Sequence, residues 1–158
     1  MERDQASKFI NDLLRLMISR NGSDLFITAD FPPAIKVDGQ VTKLSPQPLT
    51  GAHTQALARS IMSDKQAADF ERSKECNFAI APATIGRFRV SAFVQQSKIG
   101  MVLRVIPATL PTIDGLAMPP VLKDIAMSKR GLCILVGATG SGKSTTLAAM
   151  IDWRNENS

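Results

Sequence analysis

Apolar residues in the first part of the chain recur at helical spacing and then at strand spacing. FINDLLRLMI repeats apolar residues every three or four positions, which predicts an amphipathic helix that ends at Asn21-Gly22. DLFIT then predicts a short strand. The run AIKVDGQVTKL alternates on both sides of Asp38-Gly39, a pair typical of tight hairpin turns, and therefore predicts two more strands.

The middle of the chain again places helices before strands. TGAHTQALARSIM has the spacing of a helix, and SDKQAADFERSK predicts a second helix that starts with a capping box of Ser63 and Gln66. Three strands are predicted after them, in CNFAIA, GRFRVSAFVQQ and IGMVLRVI. Residues 1–106 are therefore expected to form an α+β domain, a largely antiparallel sheet with flanking helices.

The pattern changes at PATLPTIDG (107–115), whose prolines and glycine predict an interdomain linker. MPPVLKDIAMSKR predicts a helix with proline at its start, and GLCILV (131–136) predicts a strand. LAAMIDW predicts the last helix. Residues 116–158 are thus expected to be the truncated start of a parallel α/β domain, because so short a segment cannot complete such a fold.

The segment GATGSGKSTT (137–146) matches the phosphate-binding pattern G-x-x-x-x-G-K-[ST]. Glycines let backbone N–H groups approach phosphates, and the following helix adds free N–H groups and a positive dipole end. Lys143, with its side chain facing solvent, is expected to contact the β- and γ-phosphates of ATP, and Ser144 to ligate Mg²⁺. The expected nucleotide-binding residues are Gly137, Thr139, Gly140, Ser141, Gly142, Lys143, Ser144 and Thr145. A glycine-rich turn that binds nothing is the alternative.

The composition of the chain argues against several classes of function. The net charge of +5 is scattered among acids, and aromatic residues make up 5% with no Tyr, so nucleic-acid binding is not expected. Cys76 and Cys133 lie in strand-like runs and are expected to be buried, reduced thiols. The single histidine, His53, has no second ligand nearby and does not indicate a metal site. A charged N-terminus and the lack of a long apolar run predict a cytoplasmic protein without a membrane span.

Several segments, in this order and spacing, resemble one family of motor ATPases. They are GSDLFIT, PPAIKVDGQV, ECNFAI, GRFRVSAF, GMVLR and GATGSGKSTTLAAMI. They are similar to the N-terminal part of the secretion-superfamily ATPases that retract type IV pili, the PilT/PilU family, and ECNFAI and GMVLRVIPA favour the PilU branch. The resemblance implies a PAS-like N-terminal domain followed by a RecA-like domain.

The resemblance also implies an activity and an assembly. The family forms cytoplasmic hexameric rings at the inner-membrane base of the pilus machine, where ATP hydrolysis drives pilus retraction and twitching motility. The implied partners are further copies of the chain, the inner-membrane platform and the paralogous retraction ATPase. The family's acidic metal-binding box, catalytic carboxylate and histidine motif lie beyond position 158, so the full-length parent is expected to be the ATPase and the 158-residue chain to be inactive.

The resemblance implies that three arginines, in addition to Lys143, are candidate catalytic residues. Arg87 and Arg89 are two residues apart and share one strand face, while Arg104 interrupts the alternation of the next strand. Arginines of the family's N-terminal domain contact nucleotide phosphates, and these three occupy the matching places. The alternative for each is a solvated sheet face with surface ion pairs. For the whole chain, the rival functions are a non-catalytic PAS-like module for oligomerisation or docking, and an unrelated P-loop kinase.

Overall fold

The chain forms two compact units in a computed structural model that describes residues 2–138 and 141–158. Unit 1 is Met1–Ile106 and unit 2 is Pro107–Ser158. The assignment of residues 1–106 and 116–158 to PAS-like and RecA-like domains, with 107–115 as linker, stays a prediction. No helix in the described part of the chain has the length and apolar character needed to cross a membrane.

Unit 1 is an antiparallel sheet flanked by three helices. The helices are α1 (Arg3–Ser19), α2 (Gly51–Ile61) and α3 (Asp64–Ser73). The strands are β1 (Asp24–Ile27), β2 (Ala34–Val37), β3 (Gln40–Lys43), β4 (Glu75–Ile80), β5 (Arg87–Gln95) and β6 (Lys98–Ile106). They pair in the order β3-β2-β1-β6-β5-β4, with antiparallel neighbours throughout. The α+β prediction for this region is confirmed.

Left-handed backbone conformations end α1 and join β2 to β3, as the sequence predicts. Asn21 after α1 has φ 54°, and the turn residues Asp38 and Gly39 have φ 48° and 83°. Two successive residues with positive φ match the twist of a two-residue hairpin. This turn fixes the register of β2 against β3, in which Val37 lies opposite Gln40.

Reciprocal hydrogen bonds begin α2 and α3. The N–H of Gln66 donates to the Oγ of Ser63 at 3.3 Å and the N–H of Ser63 donates to the Oε1 of Gln66 at 2.9 Å, which confirms the predicted capping box. In the same way, the N–H of Thr50 donates to the Nδ1 of His53 at 3.3 Å, and the N–H of His53 to the Oγ1 of Thr50 at 3.2 Å. His53 therefore helps to start a helix.

The sheet has one face under the helices and one open face. Along β5, Phe88, Val90 and Ala92 are buried, whereas Arg87 and Arg89 on the opposite face are exposed. Helices α1, α2 and α3 contact β1, β6 and β4, respectively. The core between them includes Ile10, Leu14, Met17, Leu25, Ile35, Leu57, Phe88 and Leu103. Each such side chain contributes roughly 1.5–3 kcal/mol by its burial, so unit 1 has a substantial core of its own.

Unit 2 contains the two helices that the sequence predicts, α4 (Val121–Met127) and α5 (Lys143–Asn157). Their small core consists of Ile113, Ala126, Ala149 and Met150. The Nη1 of Arg154 donates to the carbonyls of Ala126 at 3.0 Å and Ser128 at 2.9 Å. Carbonyls at the C-terminal end of a helix lack hydrogen-bond partners within the helix. Arg154 of α5 supplies donors to these carbonyls of α4 and so links the two helices.

Residues 131–136 differ from the prediction. They form no strand in the structure, and Leu132, Ile134 and Val136 are 85%, 70% and 85% exposed. Cys133 is exposed rather than buried, and Cys76 in β4 is half-buried. A strand needs a neighbour for its N–H and C=O groups, and the strands that the structure describes all belong to unit 1. The predicted strand at 131–136 and the predicted burial of Cys133 are therefore wrong, whereas Cys76 is partly buried against the core of unit 1.

Candidate nucleotide-binding site

The glycine-rich segment leads directly into α5. Helix α5 begins at Lys143, and the preceding Gly142 has φ +85° and ψ 7°, a left-handed conformation that costs glycine little. Since Gly142 has no side chain to cap the helix, the first N–H groups of α5 are available to a ligand. Thr139 and Gly140 lie outside the described residues, so their binding roles stay predictions.

Lys143 bridges the two ends of this segment. Its Nζ donates to the carbonyl oxygens of Gly137 at 2.8 Å and Ala138 at 2.7 Å. The residue is partly exposed and both contacts lie at the surface, so the prediction that Lys143 faces solvent is confirmed only in part. An ammonium is attracted to carbonyl oxygens because it has three donors and no acceptor. The contact places one positive charge against the backbone of the phosphate-binding motif.

Gly137, the first fixed position of the motif, is close to Ser141. A Cβ atom at Gly137 would lie 2.6 Å from the Oγ of Ser141, so a side chain there would displace the hydroxyl. The N–H of Ser141 also donates to the carbonyl of Ala138 at 3.2 Å. Because this hydroxyl ends a flexible side chain that can turn away, the contact shows that Gly137 and Ser141 are neighbours but does not by itself require glycine.

The hydroxyl residues at the start of α5 differ in exposure. Ser144 and Thr145 are exposed, as residues that contact a ligand should be in the free protein. Thr146, which the sequence analysis did not single out, is 5% exposed, and its Oγ1 donates to the carbonyl of Gly142 at 3.0 Å. This hydrogen bond fastens Gly142 to the first turn of the helix.

The three candidate arginines lie on the open face of unit 1 and are called the arginine cluster. Arg89 is directly opposite Arg104 in the β5–β6 register, and Arg87 is opposite Ile106. Arg89 and Arg104 are thus neighbours, with Arg87 two residues along the same face. Like charges directly opposite each other destabilise a sheet, so this pairing calls for a compensating group.

Asp24 supplies that group. It lies opposite Arg104 in the β1–β6 register, and the Nε of Arg104 donates to its Oδ1 at 2.7 Å. The Oγ of Ser23 donates to the other carboxylate oxygen at 2.8 Å. The Asp24 side chain is 6% exposed, whereas that of Arg104 is 69% exposed. Sequence reasoning missed Asp24, because one acid at the start of a short strand has no pattern and only the register gives it a partner.

Opposing effects act on the pKa of Asp24. Burial alone would raise it, because a buried carboxylate loses its hydration. Hydrogen bonds from Arg104 and Ser23, with the positive charges of Arg104 and Lys36, outweigh burial and hold the pKa of Asp24 below its ordinary value. Asp24 is therefore a carboxylate at neutral pH.

A polar pocket of about 230 Å³ lies beside the arginine cluster. Its lining residues are Asn77, Arg89, Ser91, Val102 and Arg104. In residues 2–138 and 141–158, the ion pairs involve Arg104 but not Arg87 or Arg89. The pocket therefore combines uncompensated positive charge with amide and hydroxyl donors, a combination that fits an anion.

The comparisons with known proteins agree with the motif. The family model described as "Type II/IV secretion system protein" matches residues 2–158. The chain is 53% identical to the type IV pilus ATPase PilU of Pseudomonas aeruginosa over 146 residues, which is 92% of this chain and 38% of that protein. It is 43% identical to PilT of the same organism, described as a type IV pilus retractation ATPase, over 92% of this chain and 42% of that protein.

Solved structures share the fold. The crystal structure of the pilus retraction motor PilT with bound ADP matches with a TM-score of 0.84 and 35% identity, over 92% of this chain and 43% of that one. The Legionella pneumophila ATPase DotB matches with a TM-score of 0.65 and 28% identity, over 90% and 40%. The chain thus spans about two fifths of the length of the relatives it matches, at 38% and 42% of the curated ones.

Proposed function

Because the chain belongs to the type II/IV secretion system protein family, we propose that it is the nucleotide-binding part of a motor ATPase of the type IV pilus machinery. In this proposal, residues 137–145 hold the phosphates of ATP and the arginine cluster stabilises phosphate charge. The observation that carries it is the contact of the Lys143 ammonium with Gly137 and Ala138 at the start of α5.

The groups of the motif have distinct binding roles. Lys143 exchanges its two carbonyl acceptors for phosphate oxygens, which accept stronger, charge-assisted hydrogen bonds. The first N–H groups of α5 and the helix dipole attract the same phosphates. The exposed hydroxyl of Ser144 suits an oxygen ligand of Mg²⁺, which when bound neutralises phosphate charge. Thr145 donates on the α-phosphate side.

The arginine cluster has the role of stabilising charge that develops during phosphoryl transfer. Guanidinium groups present several donors in a fixed plane and remain charged at every physiological pH. Their contribution is largest where negative charge grows in the transition state. The uncompensated charge of Arg87 and Arg89 and the exposure of Arg104 support this role.

The assembly and its location form the rest of the proposal. The active protein is a hexameric ring in the cytoplasm at the inner-membrane base of the pilus machine. It acts with the inner-membrane platform and a paralogous retraction ATPase to retract pili in twitching motility. The names of the relatives support the link to pili and twitching motility: two are pilus ATPases and a third, from Neisseria gonorrhoeae, is a twitching motility protein. The higher identity to PilU, 53% against 43% for PilT, favours the PilU branch.

A chimera in which this chain replaces the aligned segment of Pseudomonas aeruginosa PilU tests the ATPase proposal. Lys143→Ala should reduce phosphate release to background and weaken binding of a fluorescent ATP analogue, because the loop loses its cation. Lys129→Ala, which removes an exposed lysine of the same unit, is the matched control and should leave both unchanged. Equal behaviour of the two variants contradicts the proposal.

The same chimera separates the rival functions. Nucleotide binding without turnover favours a docking or oligomerisation module, and phosphorylation of a small acceptor favours a kinase.

Arg87→Ala or Arg104→Ala should lower kcat more than nucleotide affinity, since the proposed contact strengthens in the transition state. Arg72→Ala, an exposed arginine on α3, is the control. The 158-residue chain assayed beside the chimera should bind ATP weakly or not at all and show no hydrolysis above background.

A further inference from the structure

A row of charged residues crosses the open face of unit 1. The strand registers place Lys36 opposite Asp24, Asp24 opposite Arg104, and Arg104 opposite Arg89. The row therefore has three positive groups and one negative group. The negative group, Asp24, is also the most deeply buried of the four.

We propose that Asp24 is a positioning residue that fixes the guanidinium of Arg104 beside Arg89, so that the two arginines present their remaining donors to one polyphosphate group. The inference rests on the proposed function, in which the arginine cluster contacts nucleotide phosphates. It adds a residue that does not itself touch the phosphates and acts through Arg104.

The contact of Asp24 with Arg104 leaves most of the arginine free. A guanidinium has five N–H donors, and Asp24 accepts from the one on Nε at 2.7 Å. The described hydrogen bonds of Arg104 do not use the four donors on its Nη atoms, and 69% of the side chain is exposed. Asp24 therefore restrains the side chain without occupying the donors that suit a phosphate.

Asp24 is itself held in place. Its strand β1 lies inside the sheet between β2 and β6, so its backbone is paired on both sides. The hydroxyl of Ser23 holds the second carboxylate oxygen at 2.8 Å, and burial leaves the side chain little freedom. An arginine anchored to such a group loses less rotational freedom when it binds an anion, which raises affinity.

The charge balance of the row explains why an anchor is needed. Arg89 and Arg104 repel each other at directly opposed positions, and Asp24, on the other side of Arg104 from Arg89, holds Arg104 in one orientation despite that repulsion. Asp24 offsets one positive charge on the Arg104 side and leaves Arg89 without a partner acid among the described ion pairs. An anion between the two arginines would neutralise what remains.

Asp24→Asn distinguishes positioning from simple attraction by the sign of its effect. Removing a negative charge beside a cationic site strengthens anion binding by Coulomb's law alone. Loss of the anchor should instead weaken it, by about fivefold, the equivalent of part of one charge-assisted hydrogen bond. The probe is inorganic tripolyphosphate titrated at low ionic strength into the 158-residue chain, followed by the amide NMR shifts of Ser91 and Val102, which line the pocket of unit 1. A wild type in which neither amide shifts overturns the phosphate role of the arginine cluster and the inference with it.

Matched variants complete the experiment. Asp30→Asn removes the acid of the exposed Lys98–Asp30 pair, and should leave affinity unchanged or slightly tighter. Ser23→Ala, which keeps the charge and removes one support, should weaken binding in the same direction as Asp24→Asn but less, and it serves if Asp24→Asn does not fold. The Nε–H resonance of Arg104 should exchange slowly with water in the wild type and rapidly in Asp24→Asn.

The outcomes separate the inference from the proposed function. Unchanged affinity in Arg104→Ala overturns the phosphate role of the arginine cluster and the inference with it. A loss in Arg104→Ala together with equal or tighter binding in Asp24→Asn overturns the positioning role alone. A rapidly exchanging Nε–H of Arg104 in the wild type also overturns it, because the anchor would then be absent in solution.

Discussion

Strand β5 and residues 131–136 are both rich in apolar and β-branched residues, yet their surroundings differ. Every residue of β5 has a partner in β6, from Arg87 opposite Ile106 to Gln95 opposite Lys98, and six also face β4. Residues 131–136 belong to no strand, and Val136 is 85% exposed where Val90 of β5 is fully buried.

The comparison shows that a strand-like sequence forms a strand only where neighbouring strands can pair with its backbone. In unit 1, strands on both sides of β5 supply the hydrogen-bonding partners, and helices cover one face of the sheet. In unit 2, the described residues form helices and connecting segments, so the run at 131–136 has no neighbouring strand. A paired strand and an unpaired, exposed segment with the same kind of sequence can therefore be compared within one chain.

Amide hydrogen exchange should show the largest contrast. The amide of Val90 in β5 should exchange about a thousand-fold or more slowly than that of Ile134, after correction for intrinsic rates, because β5 opens only when much of the sheet unfolds. Native-state exchange followed by NMR measures both. Comparable protection at the two sites would mean that residues 131–136 are hydrogen-bonded in solution.

Two identical substitutions test the same contrast energetically. Leu103 is fully buried in β6 and Leu132 is 85% exposed. Leu103→Ala should lower the free energy of unfolding of unit 1 by about 2–5 kcal/mol, whereas Leu132→Ala should change that of unit 2 by no more than about 0.5 kcal/mol. Urea unfolding followed by far-UV circular dichroism reports the sheet, and the fluorescence of the single tryptophan, Trp153, reports unit 2. A large loss in Leu132→Ala would contradict the exposed position.

Ion pairs of the two units should respond differently to substitution. Asp24→Asn should lower the free energy of unfolding of unit 1 by about 1.5–3 kcal/mol at pH 7, since the buried carboxylate accepts hydrogen bonds from Arg104 and Ser23. Asp114→Asn in the exposed Lys123–Asp114 pair of unit 2 should cost about 0–1 kcal/mol. Unfolding of each unit at pH 7 measures both losses, and equal losses would contradict the distinction.

The effect of Asp24 should also depend on pH. Its pKa in the folded state lies below that in the unfolded state, so the unfolded state binds more protons in that interval. The stabilisation is complete above the unfolded pKa of about 3.9 and is lost as the pH falls through the folded pKa. The difference between wild type and Asp24→Asn should shrink below about pH 4.

The smallest expected difference in stability between the two units comes from substitutions at the first turns of their helices. Ser63→Ala removes the cap of α3 and should cost unit 1 about 1 kcal/mol. Ser144→Ala removes an exposed hydroxyl from the first turn of α5 and should change unit 2 by less than about 0.5 kcal/mol. The same two optical probes measure these effects, and a larger cost for Ser144→Ala would indicate an unrecognised contact of its hydroxyl.

Local features of the fold could be predicted from the sequence. Helical and strand periodicity predicted the five described helices, three in unit 1 and two in unit 2, and the six strands of unit 1. The Asp38-Gly39 pair predicted the hairpin turn. The Ser63–Gln66 box was predictable because all its atoms lie within four residues. The cap formed by His53 was not, since histidine is an unusual partner in that position.

Features that depend on distant residues could not be predicted. The role of Asp24 arises from a register that brings together residues 80 positions apart. Residues 131–136 form no strand because no described strand lies next to them, and the local sequence pattern cannot predict which strands will be adjacent. Within the loop, the motif predicted which residues matter, but the contacts of Lys143 and Thr146 with backbone carbonyls depend on the folded path of the segment.

The alternation of outward and buried side chains from Arg87 to Ala92 also determines which genetic changes unit 1 tolerates. Replacing one side chain alters one position, but inserting or deleting a single codon within this stretch would reverse the face of every residue between the change and one end of the strand. Length changes are therefore restricted to the turns, such as Gln96–Ser97 between β5 and β6. Reading-frame-preserving insertions should accumulate at such turns and be purged from the strands.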